Sequence, residues 1–255
     1  MNILLCQCDL QWEQLQENLS RISVLIESES RPIDMIILPE MFSTGFCTEP
    51  QGVAEGADGV SLEWMRQTAQ RYNVAIVGSI ATEENAKYYN RMYFVYPNGE
   101  YIKYDKHHLF TYGGEHLRYT PGNERVVAEY KGWRFLLQVC YDLRFPVYAR
   151  NKGDYDMAIY VASWPAVREY AWNTLLRARA IENVAYVAGV NRVGKDPQCS
   201  YSGGTLLADY MGMVIGEASP EKEEALYVEL DREKLLQFRE KFPALSDRDE
   251  FQLVK

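Results

Sequence analysis

Phe135-Leu-Leu-Gln-Val-Cys140-Tyr-Asp-Leu-Arg-Phe-Pro146 is a short apolar run that ends in a thiol and turns polar at once. Such a run reads as a buried strand. A side chain at its end is held rigidly by the sheet while its reactive atom faces the crevice between loops. Pro146 stands early in a helix expected to run to about residue 153, so that with Asp142 it sets a helix N-terminus near the sulfur. That end favours the thiolate, the nucleophilic form of cysteine. The competing reading is a small buried hydrophobe, which is what most free cysteines are.

Working outward, strands and helices alternate on both sides of this stretch. The run 3–8 reads as a strand, and Leu15, Leu19, Ile22 and Ile26 then recur at helical spacing. A strand over 34–39 ends at Glu40, and a polar, Gly-containing loop follows over 43–59. The pattern then predicts a helix over 62–72 and a strand over 74–79. Tyr93 to Tyr104 surrounds Pro97-Asn98-Gly99, a hairpin signal that brings antiparallel strands into the sheet. Residues 105–122 form a long loop without apolar periodicity, a length that in compact domains is usually functional. Strands near 124–130 and 133–139 lead to Cys140. Beyond it the pattern predicts a strand over 157–162, a helix over 170–183 and a strand over 185–191. A hairpin about Met211-Gly212, a strand over 225–230 and a helix over 232–241 complete the pattern. Gly203-Gly204 lacks the remaining glycines of a nucleotide-binding loop and reads as a bend in a strand. The expectation is α/β with two mixed sheets, and one domain over residues 1–255, since no Pro/Gly/Ser-rich linker interrupts it.

The 255 residues are 47% apolar and 25% charged, as in an ordinary globular protein. A net charge of -9 without any Lys/Arg run argues against nucleic acid as a partner. No stretch approaches the roughly 18 uninterrupted apolar residues of a membrane span, and the first residues lack a basic flank and a cleavage site. A soluble cytoplasmic protein is expected, with no membrane partner. The five cysteines, at 6, 8, 47, 140 and 199, lack the spacing of a disulfide framework. With only three histidines, His107, His108 and His116, no metal site is expected.

Glu40, Lys106 and Glu115 resemble Cys140 in standing at or just beyond strand ends or in the long loop, although each alone reads as a solvated charge. Their surroundings carry more. Leu38-Pro39-Glu40-Met-Phe-Ser-Thr-Gly-Phe46, Tyr104-Asp105-Lys106-His-His-Leu-Phe110 with Gly114-Glu115-His116, and Val139-Cys140-Tyr-Asp-Leu-Arg-Phe-Pro146 resemble, in order, the three signature segments of the nitrilase superfamily of carbon-nitrogen hydrolases. The resemblance runs from residue 2 to about residue 250. It is nearest to the bacterial omega-amidases (2-oxoglutaramate amidases), through Met41-Phe-Ser-Thr-Gly-Phe46, Tyr89-Asn90-Arg91, the segment from Phe110 to His116, Ala162-Ser-Trp-Pro165 and Phe242-Pro-Ala-Leu245. Ser163 departs from it, standing where Asn is expected.

The resemblance implies a four-layer α-β-β-α sandwich that pairs into a homodimer, and a cysteine-dependent amidase needing no cofactor. A carboxamide is a poor electrophile with a poor leaving group, so its hydrolysis calls for a strong nucleophile, a proton donor for ammonia and charge stabilisation at the carbonyl oxygen. Cys140 is then the nucleophile that forms a thioester, and Glu40 the carboxylate base. Lys106 faces the oxyanion beside the backbone N–H of Tyr141, a donor typically worth about 3–4 kcal/mol of barrier. Glu115 is the family's additional glutamate, orienting Lys106 and the substrate. The implied substrates are small omega-amides of 2-oxo dicarboxylic acids, 2-oxoglutaramate or 2-oxosuccinamate. Their anionic far end needs a cation, for which Arg168 is the leading candidate, with Trp164 as a wall of the pocket. Arg144 is expected instead to hold the turn through Asp142 or Glu182. The nearest alternative substrate is deaminated glutathione or another small amide or N-carbamoyl compound. A different class of reading is a non-catalytic scaffold or a thiol redox sensor. The three histidines are expected to satisfy hydrogen bonds rather than to act as general base.

Overall fold

A computed structural model describes residues 1–253. Its first half builds a six-stranded sheet from β1 (Asn2–Gln7), β2 (Met35–Ile37), β3 (Ala75–Glu84), β4 (Lys87–Val95) and β5 (Tyr101–Asp105), with helices α1 (Leu15–Glu27) and α2 (Val60–Tyr72) between the early strands. The second half builds another from β6 (Val127–Tyr130), β7 (Trp133–Val139), β8 (Met157–Val161) and β9 (Tyr186–Val190), with α3 (Pro146–Ala149) and α4 (Glu169–Asn183). A small hairpin, β10 (Val193–Lys195) and β11 (Ser200–Ser202), precedes β12 (Leu206–Ala208) and β13 (Val214–Glu217), which extend the second sheet. β14 (Glu224–Glu229) returns to lie antiparallel on β1, and α5 (Arg232–Lys241) follows.

Each sheet has three parallel strands at its centre, β1-β2-β3 in one and β7-β8-β9 in the other, edged by antiparallel partners. Side chains alternate between two buried faces. Ile3, Leu5 and Ile37 meet Phe135, Leu137 and Ile159 in a core between the sheets. Leu4 and Ile36 point the other way, onto Leu19 and Ile22 of α1 and Met65 of α2. Leu136 and Tyr160 likewise face Trp172 and Leu176 of α4. Three cores between four layers give the α-β-β-α sandwich that the resemblance implies, and explain why its central strands are mostly apolar on both faces.

The strand and helix pattern agrees with the sequence reading apart from end residues, with three differences, the first being the unanticipated hairpin of β10 and β11. β3 and β4 are longer than expected and join in a tight turn at Asn85 and Ala86, both with positive φ. The helix expected from Pro146 to residue 153 stops after four residues. There Arg150 leaves helical geometry, and Asn151 is fixed instead by bonds to Asn183 and to the Tyr155 carbonyl. Close packing of α4 on β9 depends on Gly189, where a Cβ would lie 2.3 Å from Leu176 Cδ1.

This topology positions one end of the molecule for chemistry. β5 runs antiparallel to β4, and β4 antiparallel to β3, so β5 points the same way as β2 and β3. Glu40 follows β2, Lys106 follows β5, Cys140 follows β7 and Ser163 follows β8, which sets all four beyond strand C-termini, where α/β sheets commonly form crevices. Tyr104 on β5 donates its hydroxyl to Asp142 Oδ2 across the sandwich at 2.8 Å, tying the two sheets together there.

Candidate active site

Glu40, Lys106 and Cys140, spread over a hundred residues of sequence, line one cleft. Lys106 Nζ lies 2.9 Å from Glu40 Oε1 and 2.9 Å from Glu115 Oε2, and all three side chains are fully buried. Asn90, in the middle of β4, donates to both carboxylates, at 2.7 Å to Glu40 and 3.1 Å to Glu115. The Ser163 backbone N–H donates to Glu40 Oε2 at 2.8 Å, and the Phe110 N–H to Glu115 Oε2 at 2.6 Å. Buried carboxylates persist only when paired and hydrogen-bonded in this way.

The loop carrying Lys106 is pinned by Gly122, whose N–H donates to the Lys106 carbonyl at 3.0 Å. A Cβ there would stand 2.0 Å from the Asp105 carbonyl oxygen, a backbone atom with no rotamer by which to move. Gly122→Ala is expected to lower stability by about 1–3 kcal/mol and to reduce turnover by shifting Lys106; thermal denaturation and initial rates check both.

Cys140 opens a 3-10 turn, Cys140–Arg144, in left-handed backbone geometry, φ 46°. A non-glycine residue there stores strain on the order of 1–3 kcal/mol, sustained only where surroundings over-determine it. Asp142 supplies much of that support. Its Oδ2 accepts from the Val139 N–H at 2.9 Å and from Tyr104, and its Oδ1 accepts from the His108 N–H at 2.9 Å with His108 Nδ1 2.8 Å away. His107 Nδ1 meets the Gly122 carbonyl at 2.7 Å, and its ring stacks on Tyr148. Both histidines therefore brace the loop, in keeping with the structural reading of them. Tyr141 follows Cys140 on the cleft wall, in the first turn of a helical segment, where backbone N–H groups lack intrahelical acceptors.

The electrostatics bear on the resting state of the thiol, which the sequence leaves open. Burial pushes the Cys140 thiol well above its ordinary value and the Glu40 charge pushes it further; Lys106 pulls it down by less, and a hydrogen bond with Glu40 also holds the proton. The sulfur is therefore a protonated thiol in the free site at neutral pH. Burial also raises Glu115, with Lys106 opposing and Glu40 reinforcing the rise. Burial disfavours the Lys106 charge, yet Glu115 and Glu40 outweigh it and hold the ammonium above the usual lysine range. The arrangement thus offers a nucleophile beside a proton acceptor and a fixed cation.

The cleft walls were only partly legible in sequence. Trp164 and Arg168 line it as expected. Trp164 is fixed by Asn191, which accepts its N–H at 2.8 Å and donates to its carbonyl at 3.0 Å. Arg144 departs from expectation. Asp142 has both oxygens occupied and Glu182 pairs with Arg179 at 3.0 Å, so the Arg144 guanidinium lies instead over the Trp164 ring, 4.9 Å from its centroid, on the cleft wall. Phe46, the last residue of the first motif segment, faces Lys106 at 5.2 Å. Asn90 stood in the Tyr89-Asn90-Arg91 resemblance without a role, and the hairpin residues Asp196, Gln198 and Tyr201 carry no local signal, since nothing in a strand or a turn sequence says which crevice it borders.

The description "Carbon-nitrogen hydrolase" belongs to the family whose sequence model matches residues 3–240. The chain belongs to that family. This carbon-nitrogen hydrolase is 46% identical to omega-amidase YafV of Yersinia enterocolitica, with 100% of this chain and 99% of the relative covered. It is 35% identical to the 2-oxoglutaramate amidase of Bacillus subtilis over 94% of this chain and 95% of that one. A CN-hydrolase superfamily protein of Xanthomonas campestris, crystallised with an arsenic adduct in its active site, superposes with a TM-score of 0.96 at 42% identity, covering 100% and 99% of the two chains. The nitrilase-like sandwich and the hydrolysis of non-peptide carbon-nitrogen bonds in linear amides are thereby established for this chain.

Proposed function

We propose that this carbon-nitrogen hydrolase is an omega-amidase that splits the terminal amide of 2-oxoglutaramate or 2-oxosuccinamate to the acid and ammonia. The observation that carries the chemistry is Lys106 at 2.9 Å from each of two buried carboxylates, on the cleft that Cys140 enters. The substrate reading is supported by relatives named omega-amidase and 2-oxoglutaramate amidase that match almost the whole chain.

In the proposed sequence Cys140 Sγ attacks the amide carbon as Glu40 takes the thiol proton. The carbonyl oxygen, now negative, is stabilised by the Lys106 ammonium and the Tyr141 backbone N–H. Glu40 passes its proton to the nitrogen, ammonia leaves, and a thioester remains. Water then adds, giving its proton to Glu40, and the acid departs as the thiol is restored. Because the thiol is protonated at rest, proton transfer to Glu40 is coupled to attack rather than completed before it. Glu115 holds Lys106 in place from the opposite side, and Trp164 and Arg168 contact the far end of the substrate.

Residues 1–255 would act as a single domain. A homodimer is supported by exposed apolar side chains on α4 and the turn before it, Val167, Tyr170 and Ile181, with the turn at Gly212 seated against Ile181. A cytoplasmic location is in keeping with cysteines that are all free; no helix among the described residues is long and apolar enough to cross a membrane. The test is ammonia release from purified protein. 2-Oxoglutaramate is expected to be hydrolysed, and Cys140→Ala to fall by on the order of 10⁴-fold or more with thermal stability retained. No turnover of either 2-oxo amide would exclude the substrate assignment.

A further inference from the structure

The two arginines on the cleft wall are free of partners. Arg144, at the mouth of the cleft, and Arg168, deeper on its wall, make neither ion pairs nor side-chain hydrogen bonds among the described residues. The well-buried arginines Arg91, Arg179 and Arg192, by contrast, all donate to carboxylates or carbonyls. Each of the two free guanidinium groups rests on an aromatic face: Arg144 over Trp164 at 4.9 Å and Arg168 over Phe110 at 5.3 Å. Stacking orients a guanidinium while leaving its edge N–H donors unused. One ring also links the pair, because Trp164 Nε1 donates to the Arg168 carbonyl at 2.8 Å.

Apart from Glu40, the acid on the cleft wall is Asp196, and it is not available to a ligand. Its Oδ1 accepts the backbone N–H groups of Gln198 and Cys199 at 2.8 and 2.7 Å, and its Oδ2 accepts the Tyr201 hydroxyl at 2.5 Å. The far wall therefore presents donors and positive charge, with its nearby carboxylate turned into the β10–β11 hairpin.

We propose that Arg144 and Arg168 form a two-cation subsite for the end of the substrate remote from the scissile amide, and that this subsite selects 2-oxo acids against 2-amino acids of the same length. The inference rests on the omega-amidase reading and adds to it the basis of discrimination. A carboxylate with a neighbouring keto oxygen offers three acceptors and no donor, which suits two guanidinium edges. An ammonium at that carbon would bring a third positive charge against the two arginines, and its N–H groups would find donors where they need acceptors. Free glutamine, with the same scissile amide, is thereby refused by the far wall rather than by the catalytic groups.

The experiment compares wild type, Arg144→Met and Arg168→Met on 2-oxoglutaramate, L-glutamine and pentanamide, an uncharged amide of the same chain length. For each variant kcat/KM on 2-oxoglutaramate is expected to fall about 10- to 100-fold relative to that on pentanamide, mainly through KM, and the preference for 2-oxoglutaramate over glutamine to narrow. Arg144→Lys is expected to recover part of the affinity, since charge returns without the planar fork. Equal losses on all three amides, or an unchanged KM for 2-oxoglutaramate, would overturn the subsite while leaving the omega-amidase reading in place. A wild-type enzyme active on pentanamide and inert to 2-oxoglutaramate would instead remove that reading, and the subsite with it.

Discussion

Glu40→Gln is expected to lose amide hydrolysis by about 10²–10⁴-fold while its Cys140 becomes easier to ionise. The two effects have one cause. In the wild type, burial and then the Glu40 charge hold the thiol well above its ordinary value, with Lys106 the opposing pull. Removing the carboxylate charge leaves the burial and the cation, so the pH at which the thiol ionises moves down. The thiolate is the form that alkylating reagents capture. The rate of Cys140 alkylation by iodoacetamide, followed against pH, should therefore have a lower midpoint in Glu40→Gln than in the wild type. Amide turnover by the same variant should be nearly absent, because glutamine cannot take the thiol proton or return it to ammonia. An alkylation midpoint that stays put or rises would contradict the placement of Glu40 as proton acceptor beside the sulfur.

Lys106→Met removes the cation that two buried carboxylates share at 2.9 Å each. Breaking a buried pair by deleting one partner costs about 3–5 kcal/mol, because the charges left behind stay out of water. Turnover should fall by about 10²–10³-fold for the lost oxyanion donor alone. The pH dependence distinguishes this cost from a packing defect. Burial already raises Glu115 and Lys106 holds it down, so its folded-state value rises further in the variant. A carboxyl raised on folding costs nothing below its unfolded value, where it is protonated in both states, and costs more as pH climbs through its folded value. Lys106 itself is held charged above the usual lysine range, so its stabilisation of the wild type is fully present at neutral pH. The stability deficit of Lys106→Met, from urea denaturation, should be largest near pH 8 and shrink toward pH 5. A deficit independent of pH would mean that the carboxylates had found other partners.

Local patterning made the alternating strands and helices legible, while the sandwich was implied by the resemblance of the motif segments. Mostly apolar strands require cover on both faces, and the intervening helices carry one apolar stripe each, so that Leu4 and Leu5, adjacent in β1, enter different cores. The hairpin at Asn98-Gly99 was readable because turn geometry there depends on residues close in sequence. The short α3 was not, since what ends it is the tertiary anchoring of Asn151 by Asn183. Nor was the resting state of the sulfur. A helix N-terminus is a local feature that favours a thiolate, whereas the opposing burial and the Glu40 carboxylate arrive from another sheet.

The same division holds for the site. Glu40, Lys106, Glu115 and Cys140 could be named from the sequence because each lies in a motif of contiguous residues, at a strand end or, for Glu115, in the long loop after β5. The roles of Asn90 and Phe46, although both stand in motif segments, and the place of the hairpin bearing Asp196 and Tyr201 could not be read, because their contribution is a matter of which crevice they border. Arg144 shows the difference most plainly. Its neighbour Asp142 suggested an ion pair, but both oxygens of that carboxylate are consumed by β5 and the 107–108 segment, which leaves the guanidinium to the cleft. The amino-acid sequence by itself determined the strands, the helices and the types of reactive group, since these follow from periodicity and local chemistry. Only the tertiary structure decided partners, protonation and the charge of the far wall, because burial and distance are properties of chain segments brought together from across the fold.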